Sequence, residues 1–213
     1  GPATLHEKAI YIVEGQLYQV ERLDYENRKA FVRAVACDYY TDAITYTKVT
    51  ILEEFEGTAP AHGEVHVVSR VVGFKKIRFY TNENVGSGEL DLPEQQMHTT
   101  SYWLEIPAAT MSALPVGLAD RRDGVVGLAY AMRNVAPLLL MCDAHDLGLS
   151  IDGIDGAETA GASPRIFLYD NYPGGIGLSE PLFAMHEQLL AQTRELIDGC
   201  PCTSGCPSCV GPE

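Results

Sequence analysis

Arg165-Ile-Phe-Leu-Tyr-Asp-Asn-Tyr-Pro-Gly-Gly-Ile-Gly177 changes character within a few residues. Arg165 to Tyr169 reads as a short buried strand, apolar from Ile166 onward, and Asp170 to Gly177 is a glycine-rich turn. Beyond it, Leu178, Leu182, Phe183, His186, Leu189, Leu190, Thr193, Leu196 and Ile197 fall on one helical stripe. Ser179 is placed to cap this helix, Pro181 lies in its first turn, and Gly199 should stop it. A strand, a glycine loop and a helix therefore follow in order.

Working outward, Asp123 to Asp146 carries Val126, Ala129, Tyr130, Met132, Arg133, Ala136, Leu139 and Leu140 at helical spacing, with Pro137 expected to kink or split the helix. Gly153 to Ser163 reads as an exposed loop, and Pro107 to Pro115 as the joint between two halves. Upstream, Ile10 to Ile106 reads as short strands. Leu17–Leu23 and Ala30–Val35 flank Asp24–Lys29 as a hairpin, with Asn27 available for a left-handed position. Further strands fit Ala43–Leu52, Glu64–Val72, Lys76–Tyr80 and Thr99–Ile106. In Glu64–Val72, the residues Val65, Val67 and Val71 alternate with His66 and Arg70, as expected when one face meets water. The fold class is α+β, with an antiparallel β-rich part over 10–106, an α/β part over 116–199 and a cysteine knuckle over 200–209. Residues 3–213 are expected to form one zinc-binding domain.

The knuckle, Cys200-Pro-Cys-Thr-Ser-Gly-Cys-Pro-Ser-Cys209, has the spacing C-x-C-x3-C-x2-C. Four soft donors so close together suit tetrahedral thiolate coordination of one structural zinc with no open position for catalysis. Two disulfides, or a redox pair at Cys206 and Cys209, are the alternatives. The redox reading is the weaker one because no helix begins after Cys206-Pro-Ser-Cys209. The other two of the six cysteines, Cys37 on a strand and Cys142 near a helix end, read as small buried residues. Such a distribution favours a reducing compartment over a secreted disulfide scaffold.

With 15 Lys and Arg against 29 Asp and Glu, the chain carries a net charge of -14. That balance argues against a surface that binds nucleic acid by charge alone. Val135 to Cys142 is too short to span a bilayer, so no membrane helix is expected. Gly1-Pro2 reads as a protease-cleavage scar, which makes an excised piece of a longer protein the expectation.

Weaker signals remain. Pro173-Gly-Gly-Ile-Gly177 could cradle a phosphate with backbone N–H groups, or simply turn tightly; it lacks the lysine and hydroxyl of a Walker A loop. Asp143, His145, Asp146 and Asp170 suggest acid–base or metal chemistry only if they converge, and His62 and His66 lie at a spacing that does not unite them on a strand. Lys75, Lys76 and Arg78, interleaved with Phe74, Phe79 and Tyr80, are the candidate nucleic-acid-binding residues; a solvated strand surface is the rival. Trp103 reads as core.

Several separate stretches together resemble one family. Ala9-Ile-Tyr-Ile-Val-Glu-Gly-Gln-Leu-Tyr-Gln-Val20, Asp38-Tyr-Tyr-Thr41, Leu138 to Gly148, Tyr169 to Gly177 and the cysteine run look like the zinc-binding C-terminal domain (DUF1998) of MrfA-type superfamily 2 DNA helicases. The resemblance covers nearly the whole chain and is most specific in the Pro-Gly-Gly and four-cysteine pairing. It implies zinc on Cys200, Cys202, Cys206 and Cys209. It also implies a parent that is an ATP-dependent 3′–5′ DNA repair helicase in the cytoplasm, associated with the nucleoid if bacterial. The same domain type is attached to phage-defence components. No Walker A lysine loop and no DEAD or DEAH box occurs in this sequence, so ATP and Mg2+ belong to motor domains outside it, and the fragment is not expected to be an enzyme.

The leading expectation is a non-catalytic accessory domain that braces the motor domains of its parent or guides single-stranded DNA past them. One rival is a protein-interaction module without DNA contact. The other is a nuclease-like enzyme using Asp143, Asp146 and Asp170.

Overall fold

The computed structural model describes residues 3–154 and 163–211. Gly1-Pro2 and positions 155–162 of the expected Gly153–Ser163 loop lie outside the described residues. The chain divides into two compact units, 1–47 with 68–96, and 48–67 with 97–213. The division falls within three strands, β4 (Tyr39–Gly57), β5 (Ala61–Arg78) and β7 (Gln95–Glu105). The architecture is α+β, antiparallel in its N-terminal sheets and helical toward the C-terminus.

In the first unit, β1 (Ile10–Val13), β2 (Gln16–Asp24) and β3 (Lys29–Ala34) form an antiparallel three-stranded sheet. The hairpin stands where the apolar alternation placed it, but Arg28 and not Asn27 takes the left-handed conformation, at φ 53°. Asn27 is held instead by Asp24, whose Oδ1 accepts its backbone N–H at 3.0 Å and whose carboxylate also takes its amide. This unit buries Ala9, Ile10, Val20, Val71 and Phe74, with the His6 ring stacked on Phe74 at 5.0 Å. The β6 strand (Asn84–Glu89) pairs with β5; its Gly-Ser-Gly centre hides a strand from propensity reasoning. Glu64–Val72 and Lys76 belong to one strand, β5, which ends at Arg78, so Phe79 and Tyr80 lie in the turn that follows.

The second unit is built around β7 (Gln95–Glu105), β9 (Arg165–Asp170) and β8 (Leu147–Asp152), consecutive in a sheet ordered β4-β5-β7-β9-β8. Side chains alternate across a strand, and here both faces are covered. Ile166 and Leu168 of β9 join Tyr102, Leu147, Met132 and Leu182 in one core. Phe167 and Tyr169 join Trp103, Val49, Val65 and Val67 in another. That two-sided burial is why residues 166–169 read as an unbroken apolar run. Gly148 sits opposite Tyr169, whose ring carbons approach within 2.1 Å of where a Cβ would stand; no other residue fits there.

Helix α1 (Ala108–Ala113) precedes α2 (Leu118–Leu140). Pro137 neither splits nor ends α2. It lies in the last turn, where its missing donor costs the helix one bond to the carbonyl a turn earlier and little helix remains to disrupt. Met141, at φ 52°, then terminates it, with the Cys142 N–H donating to the Pro137 carbonyl at 3.1 Å. Val125, not Val126, is the buried member of that pair. The residues expected to extend the helix to Asp146 form a 3-10 turn (Ala144–Asp146) instead.

The C-terminal stripe forms two helices, α3 (Ser179–Ala184) and α4 (His186–Asp198), broken at Met185. Gly199 closes α4 as expected, its N–H donating to the Glu195 carbonyl at 2.9 Å. Cys37 lies in a loop, half-buried, and not on a strand. Among the described residues, no helix is long and apolar enough to cross a membrane.

Candidate metal centre

Gly199 delivers the chain directly into the cysteine run, the Cys200 N–H donating back to the Ile197 carbonyl. Gly205, at φ 94°, reverses the direction so that Cys206 faces Cys200; a Cβ there would meet Val210 at 2.8 Å. A tight turn follows, in which the N–H groups of Cys209 and Val210 both reach the Cys206 carbonyl, at 3.1 and 3.0 Å.

The four sulfurs all lie within 4.8 Å of one another. Cys200 and Cys206 are 3.6 Å apart, Cys202 and Cys209 3.6 Å, and Cys206 and Cys209 3.7 Å. An S–S bond is about 2.05 Å long, so these are not disulfides. A tetrahedron with metal–sulfur distances of about 2.3 Å has edges of about 3.8 Å, and the three close pairs, at 3.6 and 3.7 Å, come near it. The donor set thus fits one zinc ion with no position left for substrate. Cys206 is pushed down to about 7, first by the Ser208 backbone N–H and then by that of Cys209, so it becomes the leading thiolate. Cys202 is pushed up to about 12 by its hydrogen bonds within the cluster, first to Cys200 and then to Cys209.

The knuckle is seated on α2. Val210 lies 3.1 Å from where a Cβ on Gly127 would be, and Gly211, at φ 89°, packs on the Tyr130 ring. A metal here joins the end of α4 to the middle of α2.

The Pro-Gly-Gly loop does different work. Asp170 is fully buried, and its Oδ2 accepts the N–H groups of Ile176, Gly177 and Leu178 at 2.8, 3.0 and 3.1 Å. Ser179 donates its hydroxyl to Asp170 Oδ1 at 2.8 Å and does not cap its own helix. The N–H of Gly174 goes to the His98 carbonyl and that of Gly175 to the Tyr172 carbonyl. Every amide from Gly174 to Leu178 is already committed, so the loop has no donors for a phosphate. The clue to this hub was an acidic residue immediately before a glycine-rich turn.

The remaining aspartates do not join it. Asp143 Oδ1 accepts from the backbone N–H and the Nδ1 of His145, while Asp146 accepts the Asp143 N–H and the Tyr172 hydroxyl. Among the described residues, the four cysteines are the group of three or more potential ligands whose donor atoms converge. The nuclease-like reading of Asp143, Asp146 and Asp170 is thereby removed. His62 packs between Phe55 and Phe183, whereas His66 meets His98, unanticipated from sequence, with ring centroids at 4.9 Å. The Tyr102 hydroxyl and His186 Nδ1 are 2.7 Å apart, a part-buried pair that apolar periodicity does not reveal.

Lys75, Lys76 and Arg78 do not converge. Lys75 and Lys76 are consecutive on β5 and point to opposite faces. The Lys76 ammonium lies 5.3 Å over the Tyr39 ring. Arg78 is paired with Asp38 at 3.4 Å and Glu83 at 2.8 Å.

Residues 128–210 match the family model described as the MrfA Zn-binding domain. The ATP-dependent helicase YprA of Bacillus subtilis (strain 168) is 41% identical over 98% of this chain and 28% of its own length. The ATP-dependent helicase HRQ1 of Saccharomyces cerevisiae is 21% identical over 97% of this chain and 20% of its own. The chain therefore spans under a third of these relatives. Crystal structures of the DUF1998 helicase MrfA superpose over 99% of this chain. The TM-score is 0.68 at 32% identity for one, covering 29% of that chain, and 0.60 at 38% identity for MrfA bound to DNA, covering 28%. Residues 128–210 thus match the MrfA Zn-binding domain family, within a chain that is similar over nearly its whole length to the C-terminal part of MrfA/YprA-type DUF1998 helicases.

Proposed function

We propose that this chain is a non-catalytic accessory domain of an ATP-dependent 3′–5′ DNA repair helicase in the cytoplasm, with one structural zinc on Cys200, Cys202, Cys206 and Cys209. In this reading the β-rich part, the α/β part and the knuckle act as one domain that braces the motor domains or guides single-stranded DNA. The observation that carries it is the convergence of the four sulfurs within 4.8 Å of one another inside a segment matching a zinc-binding domain. The zinc acts as a staple: it holds the tail after α4 on α2, and bound metal stabilises the folded state by its binding free energy.

The helicase assignment is supported by similarity to MrfA, which has been crystallised with DNA. The charge of -14 fits a strand path of local contacts better than a broad electrostatic surface. Lys75, Lys76 and Arg78 are its proposed nucleic-acid contacts, Lys75 being the most open to solvent.

Anisotropy of labelled single-stranded DNA at low salt tests the strand-guiding part, with the zinc-loaded chain and with its parent helicase. Binding that weakens steeply with salt is expected. Absence of binding by both proteins favours the protein-interaction reading.

A further inference from the structure

The turn between β5 and β6 holds the most exposed aromatic ring among the described residues. Tyr80 is fully exposed and sits at φ 69°. The Thr81 N–H donates to the Phe79 carbonyl at 2.8 Å, which makes Tyr80 the centre of a γ-turn of the rare, positive-φ kind. A bulky side chain in that region is strained, and nothing in its own unit covers the ring in compensation.

The rest of the tip is braced. The Phe79 N–H reaches the Asp38 carbonyl at 2.8 Å, Asn82 donates to the Arg78 carbonyl at 3.1 Å, and Arg78 donates to the Glu83 carbonyl at 2.9 Å. Asp38 and Glu83 also hold the Arg78 guanidinium. Behind Tyr80 stands the Phe79 ring at 6.4 Å, and behind that Tyr40 at 5.8 Å. Exposed Lys75 lies further back along β5. A solvent-facing ring with an exposed lysine further along the same strand suits single-strand binding, a base stacking on the ring and a phosphate meeting the ammonium group.

We propose that Tyr80 is a base-stacking residue for single-stranded DNA, presented by the strained β5–β6 turn, with the exposed Lys75 supplying a phosphate contact. This rests on the strand-guiding reading above and assigns it a contact residue. The ring's exposure means that its removal leaves the core intact.

The test is binding of a fluorescein-labelled oligothymidylate to the zinc-loaded chain at low salt, comparing wild type with Tyr80→Ala, Tyr80→Gly and Tyr80→Trp. Both truncations should weaken binding about tenfold, the loss of roughly one stacked base. Tyr80→Trp should retain affinity, and unlabelled oligothymidylate should quench its new indole emission while the emission of the buried Trp103, read in wild type, stays unchanged. Wild-type binding with unchanged affinity in Tyr80→Ala overturns the assignment of Tyr80 alone. No wild-type binding by the chain or its parent overturns the strand-guiding reading with it.

Discussion

Ser179 gives its hydroxyl proton to the buried Asp170 carboxylate at 2.8 Å, and three backbone amides close on the other oxygen of the same group. One side chain therefore shapes the whole Pro-Gly-Gly loop and the start of α3. Asp170→Ala leaves three part-buried N–H groups and a buried hydroxyl without their acceptor and should cost about 3 kcal/mol. Ser179→Ala removes one donor and should cost about 1 kcal/mol. Urea unfolding of the two variants checks the ratio; equal losses would mean that the amides find other acceptors.

The knuckle's seat on α2 leads to a second expectation. Gly211 combines φ 89° with a position where a Cβ would stand 2.5 Å from Tyr130. Gly211→Ala should destabilise the chain by about 2 kcal/mol through strain and overpacking, while Gly124→Ala, where a Cβ meets nothing, should be neutral or stabilising because it raises helix propensity. Thermal unfolding separates them, and a Gly211→Ala protein as stable as wild type would show that the tail is not packed as described.

Burial holds the His186 imidazole below its ordinary range, against a smaller opposing pull from Glu187. The folded state keeps the neutral ring beside Tyr102, whose own hydroxyl is pushed up chiefly by burial. The unfolded chain therefore takes up the proton first as pH falls. The contribution is present in full above about 6.5, the unperturbed histidine value, and is lost on acidification through the lower folded value. The Tm gap between wild type and His186→Gln should be wider at neutral pH than at mildly acidic pH. A gap that stays constant would remove His186 from the pH response.

These outcomes also show what was legible before the structure. The β2–β3 hairpin, the buried Arg165–Tyr169 strand and the cysteine spacing were readable because each depends on local alternation or local donor count. The Met185 break was not, since the apolar stripe runs through both helices and the break carries no glycine or proline. Strand β8 was hidden because Gly148 lowers its propensity and its reason, the Tyr169 ring opposite, is remote in sequence. The Asp170 hub escaped for the same cause: its donors are identified by geometry, not by residue type.

Strain at Tyr80 has a stability signature of its own. Glycine accepts φ 69° without the Cβ clash, so Tyr80→Gly should raise stability by about 1 kcal/mol, or roughly 2–4 °C in Tm, even as it weakens strand binding. A lower Tm would mean that the ring stabilises the fold, contrary to its exposure.

The central claim is the metal. Freshly purified, reduced protein analysed by native mass spectrometry and elemental analysis should hold one zinc per chain, and Cys209→Ser, at the buried ligand of the four, should lose it along with much of the stability of the α2–α4 junction. Reduced protein that holds no metal would contradict the account.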